Sequence, residues 1–177
     1  DYRSRSRMLP IVLWDWGFRN FEGVNRYRTQ ICAYLRAKDA FVVRARDIVA
    51  KAREGVGAVV GVHIRRGDYK EAFGGKYYFS DDEYLRFMQD IESSFGEPMR
   101  FVVVSNEPVD CMFYSLHGVS VVDASASAPE DVVTLSECDY IMGPASTFSK
   151  FAAYYGNKPI CRILDRAQEP VRPFQMC

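Results

Sequence analysis

Residues 58–64 read Ala-Val-Val-Gly-Val-His-Ile, an apolar run with no polar alternation. A strand with one wet face alternates; a strand covered on both faces does not. The run therefore predicts a central strand of a parallel sheet. Upstream, Gly55 stops a helix that Asp39 caps and that carries Phe41, Ala45, Ile48, Val49 and Ala52. Before it, Tyr27, Ile31, Tyr34 and Leu35 recur at helical spacing from Asn25 onward, and residues 1–24 read as irregular and aromatic, with Trp14 and Trp16. Downstream, Ser80 and Glu83 make a capping-box pair ahead of an apolar stripe of Tyr84, Leu85, Met88 and Ile91. Further strands are predicted at 101–104 (FVVV), 119–122 (VSVV), 140–142 and 159–164. Between them, Pro108 opens a short helix closed by Gly118, Pro129 and Glu130 open another, and a third covers 147–155. Short apolar strands alternating with helices define an α/β class: a Rossmann-like, doubly wound parallel sheet. A domain boundary is expected at 57/58, with 1–57 an irregular and helical segment and 58–177 the Rossmann-like domain.

Composition narrows the function classes. The 177 residues carry 23 Lys plus Arg against 23 Asp plus Glu, a net charge of zero. Bulk attraction to nucleic acid or an anionic membrane is thereby disfavoured. No apolar run approaches the roughly 20 residues of a membrane span. Cys32, Cys111, Cys138, Cys161 and Cys177 are widely spaced without a C-x-x-C, which predicts buried free thiols and a cytoplasmic, reducing setting. His63 and His117 are too far apart in sequence to suggest zinc. The N-terminus lacks Met and a signal-peptide core, and reads as a cut end of something longer.

Ligands of open parallel sheets sit outside the carboxyl ends of the strands, so the residues that follow each strand carry the functional reading. The first strand ends in His63 and leads to Arg65, Arg66 and Asp68; the second leads to Ser105 and Asn106; the third to Asp123. The fourth leads to Gly143-Pro144-Ala145-Ser146-Thr147-Phe148-Ser149-Lys150, a Gly and hydroxyl-rich loop running into a helix. Strand alternation puts His63 and Arg65 on one side and Arg66 on the other. Arginine offers a permanently charged, bidentate fork for phosphate. The first N–H groups of a helix lack internal partners and bear positive potential, so the Ser146–Ser149 turn is a second anion site as well as a cap. G-x-x-x-x-G-K-[ST] and G-x-G-x-x-G are both absent, which disfavours a P-loop enzyme and a nicotinamide cofactor. D-x-D is absent too, so arginine and a helix terminus would have to neutralise a diphosphate without metal. Asp81 and Asp82 read as first-turn acids that favour the helix dipole. Asp131 is either a first-turn acid or an acceptor for the N1–H and amine of guanine; Asp139 is either a turn residue or part of a site. Arg66-Gly67-Asp68 follows a core strand and does not read as an adhesion motif.

His63-Ile64-Arg65-Arg66-Gly67-Asp68 resembles the H-x-R-R-x-D motif of GDP-fucose-dependent fucosyltransferases, most of all the alpha-1,2 family, and less closely the alpha-1,6 and protein O-fucosyltransferases. The stretch Asp131-x-x-x-Leu135-Ser136-x-Cys138-Asp139-Tyr140-Ile141-x-Gly143, followed by Ser146-Thr147-Phe148-Ser149, is similar to a second segment of those enzymes. The resemblance covers about 59 to 159. It implies the nucleotide-sugar-binding half of a GT-B-like glycosyltransferase that inverts the anomeric centre, needs no metal or other cofactor, and moves fucose from GDP-fucose to a glycan acceptor. It implies that Arg65 grips the β-phosphate and that His63 contacts base or ribose. Asp131 would read guanine, and Ser146, Thr147, Phe148 and Ser149 would hold the diphosphate. Arg66 and Asp68 would brace the motif by ion pairing. This sequence departs from the pattern by two extra residues, Pro144-Ala145, and lacks a Gly-rich N-terminal strand-turn. A non-catalytic nucleotide-sugar module, or a transferase for another nucleotide sugar, are the competing readings.

Overall fold

The computed structural model describes residues 20–167 and Phe174. Trp14 and Trp16, read above as part of an irregular start, lie outside the described residues. The chain divides into two compact units, Asp1–Leu35 and Arg36–Cys177. In the first, the stretch expected to be irregular through residue 24 and helical from Asn25 forms α1 (Phe21–Arg26) and α2 (Arg28–Tyr34), broken at Tyr27. The Asn20 side chain accepts from Gly23 N–H at 2.8 Å and starts α1 earlier than apolar spacing indicates.

The second unit begins with α3 (Asp39–Ala52). Asp39 is its first helical residue, not its cap; Lys38 holds that position. Val49 and Ala52 of α3 are buried in the core against the sheet. The helix thus belongs with the sheet, and the division falls before it rather than at 57/58.

The sheet comprises β1 (Ala58–Ile64), β2 (Met99–Ser105), β3 (Val121–Asp123), β4 (Tyr140–Pro144) and β5 (Ile160–Ile163). All pairs are parallel and the order is β3-β2-β1-β4-β5. Every residue of β1 is buried, as its unbroken apolar run demands. Val60, Val62 and Ile64 face α4 (Asp81–Phe95) through Tyr84, Leu85, Met88 and Ile91, joined by Tyr114 of α5 (Cys111–Leu116). Val59 faces the opposite layer: α3, α6 (Ala128–Glu137) through Leu135, and α7 (Thr147–Gly156) through Ala152 and Ala153. Helices on both faces make the sheet doubly wound.

Local signals set the helix starts. Ser80 and Glu83 form the expected capping box, and Ser127 with Glu130 forms another. α5 starts at Cys111 rather than Pro108, because Asp110 accepts from Phe113 N–H at 3.1 Å. β3 is two residues later than Val119 indicates: Val119 donates to Tyr114 O at 3.0 Å and packs under α5. Cys32, Cys111, Cys138 and Cys161 take part in no disulfide. Among the described residues, no helix is long and apolar enough to cross a membrane.

Candidate functional site

From β1 the chain moves outward to β2 and β3, then returns to β4 beside β1. The crevice outside the carboxyl ends of β1 and β4 is the switch point where such sheets bind ligands. It receives Arg65, Arg66, Gly67 and Asp68 from β1, and Ala145, Ser146 and Thr147 from β4.

Arg65 points one Nη to Asp68 Oδ1 at 2.9 Å and lies 5.6 Å from the Tyr69 ring centre. Both partners are partly exposed, so the fork is oriented but not sealed. Arg66 turns the other way, as alternation requires. Its guanidinium binds Asp81 at the start of α4, and Asp81 also accepts from Tyr114 Oη at 2.6 Å. Its backbone N–H donates to Asn106 Oδ1 at 2.8 Å, tying the loop to the end of β2. Arg66 and Asp68 both form ion pairs, but with Asp81 and Arg65 rather than with each other. Asp81 is therefore more than a dipole-favouring acid: it is the counter-ion of a nearly buried arginine. Only the fold brings it there, so no local sequence signal discloses it.

His63 is 5% exposed and its ring lies 4.7 Å from that of Phe148 at the start of α7. Its Nδ1 is buried without a hydrogen-bond partner. Burial, with the Arg65 charge second, lowers its pKa to about 3, so the imidazole is neutral. The structure thus places His63 beneath Phe148. Gly143 makes this contact possible: a Cβ there would lie 3.1 Å from His63 Cβ and 3.3 Å from Ser149 Cβ. An unfolded histidine, with pKa near 6.5, takes up a proton that the folded ring refuses. The His63 contribution to stability should fall as pH drops below about 6.5, by up to about 1.4 kcal/mol per pH unit, while Asp131 acts in the opposite sense below about 6. Urea unfolding at pH 7 and pH 5 checks this; a His63→Gln variant should lose less than the parent, and equal losses would refute it.

At the α7 start, Ser146 caps the helix by accepting from Phe148 N–H at 3.1 Å. Ser149 is buried and donates to Ser146 O at 3.4 Å. Thr147 is exposed at the first helical position. One hydroxyl caps, one braces and one faces outward, on a turn whose N–H groups carry the positive helix end.

Asp131 lies two strands away, past β3. It is 6% exposed, and its Oδ1 accepts from Ala126 N–H at 2.8 Å. Burial raises its pKa to about 6, against the opposing pull of that N–H and the Arg44 charge. Arg44 of α3 donates to Ala124 O at 3.2 Å and keeps a buried Nη1 without a partner. Arg44 went unnoticed in the sequence because it reads as one more charge on a helix face. With strands about 4.8 Å apart, the ends of β3 and β1 lie roughly 10 Å from each other along the sheet edge. Asp139, by contrast, is at the amino ends of the strands. Arg53 grips it at 2.6 and 2.8 Å, and Val59 N–H donates to it at 2.9 Å. Burial alone would raise its pKa, but the Arg53 fork and that N–H outweigh it and hold the carboxyl below its usual value. Asp139 is a structural tie on the edge opposite the crevice. No group of three His, Cys, Asp or Glu side chains suited to a metal occurs among the described residues.

A parallel sheet with helices on both faces, and an arginine fork and a helix start meeting at its switch point, defines a doubly wound α/β domain of the Rossmann type. The model for glycosyl transferase family 11 matches residues 19–169, and the chain belongs to that family. No curated protein matches the sequence. Among solved structures, POFUT1 in complex with GDP superposes with a TM-score of 0.57 at 12% identity, over 81% of this chain and 50% of that one. POFUT1 in complex with GDP-fucose gives 0.56 at 14% identity, over 79% and 47%. The chain thus spans about half the length of these relatives, and at such identities the likeness is one of fold.

Proposed function

We propose that this chain binds GDP-fucose in the β1/β4 crevice and supplies the donor side of fucosyl transfer to a glycan hydroxyl, with inversion and without metal. The carrying observation is the meeting, at one sheet edge, of the Arg65 fork with the Ser146–Ser149 helix start, in a chain of glycosyl transferase family 11. The POFUT1 structures of similar fold hold GDP and GDP-fucose. In this reading the diphosphate lies between Arg65 and the α7 start. As the acceptor oxygen bonds to fucose C1, the C1–O bond to GDP breaks and its electron pair stays on the β-phosphate oxygen. Arg65 and the α7 N–H groups stabilise that charge, and the acceptor proton leaves to a base. Preorganised donors of this kind commonly contribute about 3 kcal/mol each. His63 acts through Phe148, whose backbone and position belong to the phosphate turn, and Arg66, anchored by Asp81, fixes the loop that carries Arg65.

The guanine would lie toward β3, where the Asp131 carboxylate accepts from N1–H and the exocyclic amine. An acid with a pKa near 6 accepts two such bonds only when ionised, so GDP affinity should weaken as pH falls through about 6. Asp131→Asn keeps an acceptor for Ala126 N–H but replaces the other oxygen with a donor. Affinity for GDP-fucose, whose doubly esterified diphosphate has no proton to gain near pH 6, should then drop by about ten- to a hundredfold and lose its pH dependence. Calorimetric titration with GDP, UDP and GDP-fucose in EDTA, at pH 7.5 and 5.5, tests both points. Metal-independent, GDP-selective binding supports the reading; equal affinity for UDP would favour another nucleotide sugar, and absence of GDP binding would refute the donor site.

A further inference from the structure

Two described residues other than glycine have positive φ: Asn157 and Phe73. Asn157, at +53°, closes α7 in the left-handed position where Asn is at home. Phe73, at φ 54° and ψ 30°, has no such excuse. A bulky residue in this region is an outlier, and the conformation costs energy that the surroundings must offset. Packing does not offset it, because Phe73 is 73% exposed. Gly74 and Gly75, beside it, also have positive φ, yet the strained place goes to the aromatic residue.

The loop that presents Phe73 is firmly built. It leaves the Arg65–Asp68 motif through two 3-10 turns, Gly67–Lys70 and Ala72–Gly75, separated only by Glu71. Backbone bonds close it stepwise: Tyr69 N–H to Arg66 O, Glu71 to Asp68, Gly74 to Glu71, Lys76 to Phe73 and Tyr78 to Gly75. Arg166 holds its far side by donating to Tyr78 O at 3.0 Å. Tyr69, Tyr77 and Tyr78 each have a cation near their ring, Arg65, Lys76 and Lys70 respectively, at 5.4 to 5.6 Å. Phe73 instead receives Tyr77 edge-on, ring centres 5.7 Å apart at 70°, and keeps its outer face in water. At about 2 Å per residue, the four steps from Tyr69 to Phe73 carry the chain roughly 8 Å from the ring that touches Arg65.

Resting on the donor-site reading above, we propose that Phe73 is a stacking platform for a pyranose ring of the acceptor saccharide, held beside the donor diphosphate by the Tyr69–Tyr78 loop. An aromatic face carries negative potential and attracts the C–H face of a sugar. The flanking Lys70, Glu71 and Lys76 are exposed and offer partners for sugar hydroxyls. A single ring rimmed by charges suits a ring-sized ligand; a stable protein partner needs about 800 Å² on each side.

The test uses the chain loaded with GDP and two probes, methyl β-glucopyranoside and methyl β-galactopyranoside, by saturation-transfer NMR. Transfer to the axial C–H face of at least one probe is expected, and its loss in Phe73→Asn, a residue that accepts positive φ. Thermal melting of Phe73→Asn should be unchanged or raised, and GDP affinity should stay within about twofold of the parent. In the acceptor assay on the intact enzyme, the same variant should raise acceptor KM about tenfold with kcat little changed, and Phe73→Trp should restore it. Contact with neither probe, contact retained in Phe73→Asn, or a lowered melting temperature (a ring needed for folding) would each overturn the proposal. Failure of the parent chain to bind GDP would overturn the donor-site reading itself, which separates the two failures.

Discussion

Arg65→Ala is expected to lower kcat/KM for fucosyl transfer by at least about a hundredfold, equivalent to roughly 3 kcal/mol of transition-state stabilisation. This guanidinium contributes little to the fold, because its side chain is 36% exposed and its ion-pair partner, Asp68, is 60% exposed. The loss should therefore appear in turnover and not in unfolding. Asp68 and the Tyr69 ring hold the fork in place, so under the proposed function little reorganisation would be needed as charge grows on the leaving diphosphate. Arg65→Lys keeps the charge but not the two-pronged donor, and should recover only part of the rate. Turnover of the intact protein with GDP-fucose and a glycan acceptor decides the matter. Near-normal rates for Arg65→Ala would remove the residue from the mechanism.

Asp81→Ala should destabilise the fold by about 2–3 kcal/mol, read as a lower urea midpoint at unchanged slope. The side chain of Arg66 is 12% exposed, and its Nε is already buried without a partner. Removing Asp81 leaves the charge without its counter-ion and the Tyr114 hydroxyl without its acceptor. Asp81 is itself 30% exposed, so water reaches the pair, which sets the expectation below the roughly 3–5 kcal/mol of breaking a fully buried ion pair. An unchanged midpoint would mean that solvent replaces Asp81 fully. Asp81→Asn, which can still accept from Tyr114, should cost less.

These two arginines mark what is legible in a sequence and what is not. β1 is readable because all seven of its residues are buried and six of them are apolar, His63 being the exception. The helix starts with capping boxes, at Ser80 and Ser127, are readable because the pattern is local. The position of Arg65 and the Ser146–Ser149 turn at one sheet edge is readable because both follow predicted strands, and parallel strands end on the same edge. Contacts that close over long sequence separations leave no such mark. Asp81 looks like any acid in a first helical turn until α4 packs beside Arg66. Asp139 looks as available as Asp131 until Arg53, 86 residues earlier, is found gripping it. α3 looks detached from the sheet because Gly55 breaks the chain after it, yet its Val49 and Ala52 are core residues.

Gly156 lies at the far end of α7 from the phosphate turn, where a Cβ would come within 2.3 Å of the Ser136 carbonyl oxygen of α6. The two helices thus touch main chain to main chain at their tails, while their heads carry Asp131 and Ser146. That contact works as the pivot of a pair of callipers. The gap between the residue assigned to the base and those assigned to the phosphates is gauged by the absence of one methyl group seven residues beyond the nearest of them.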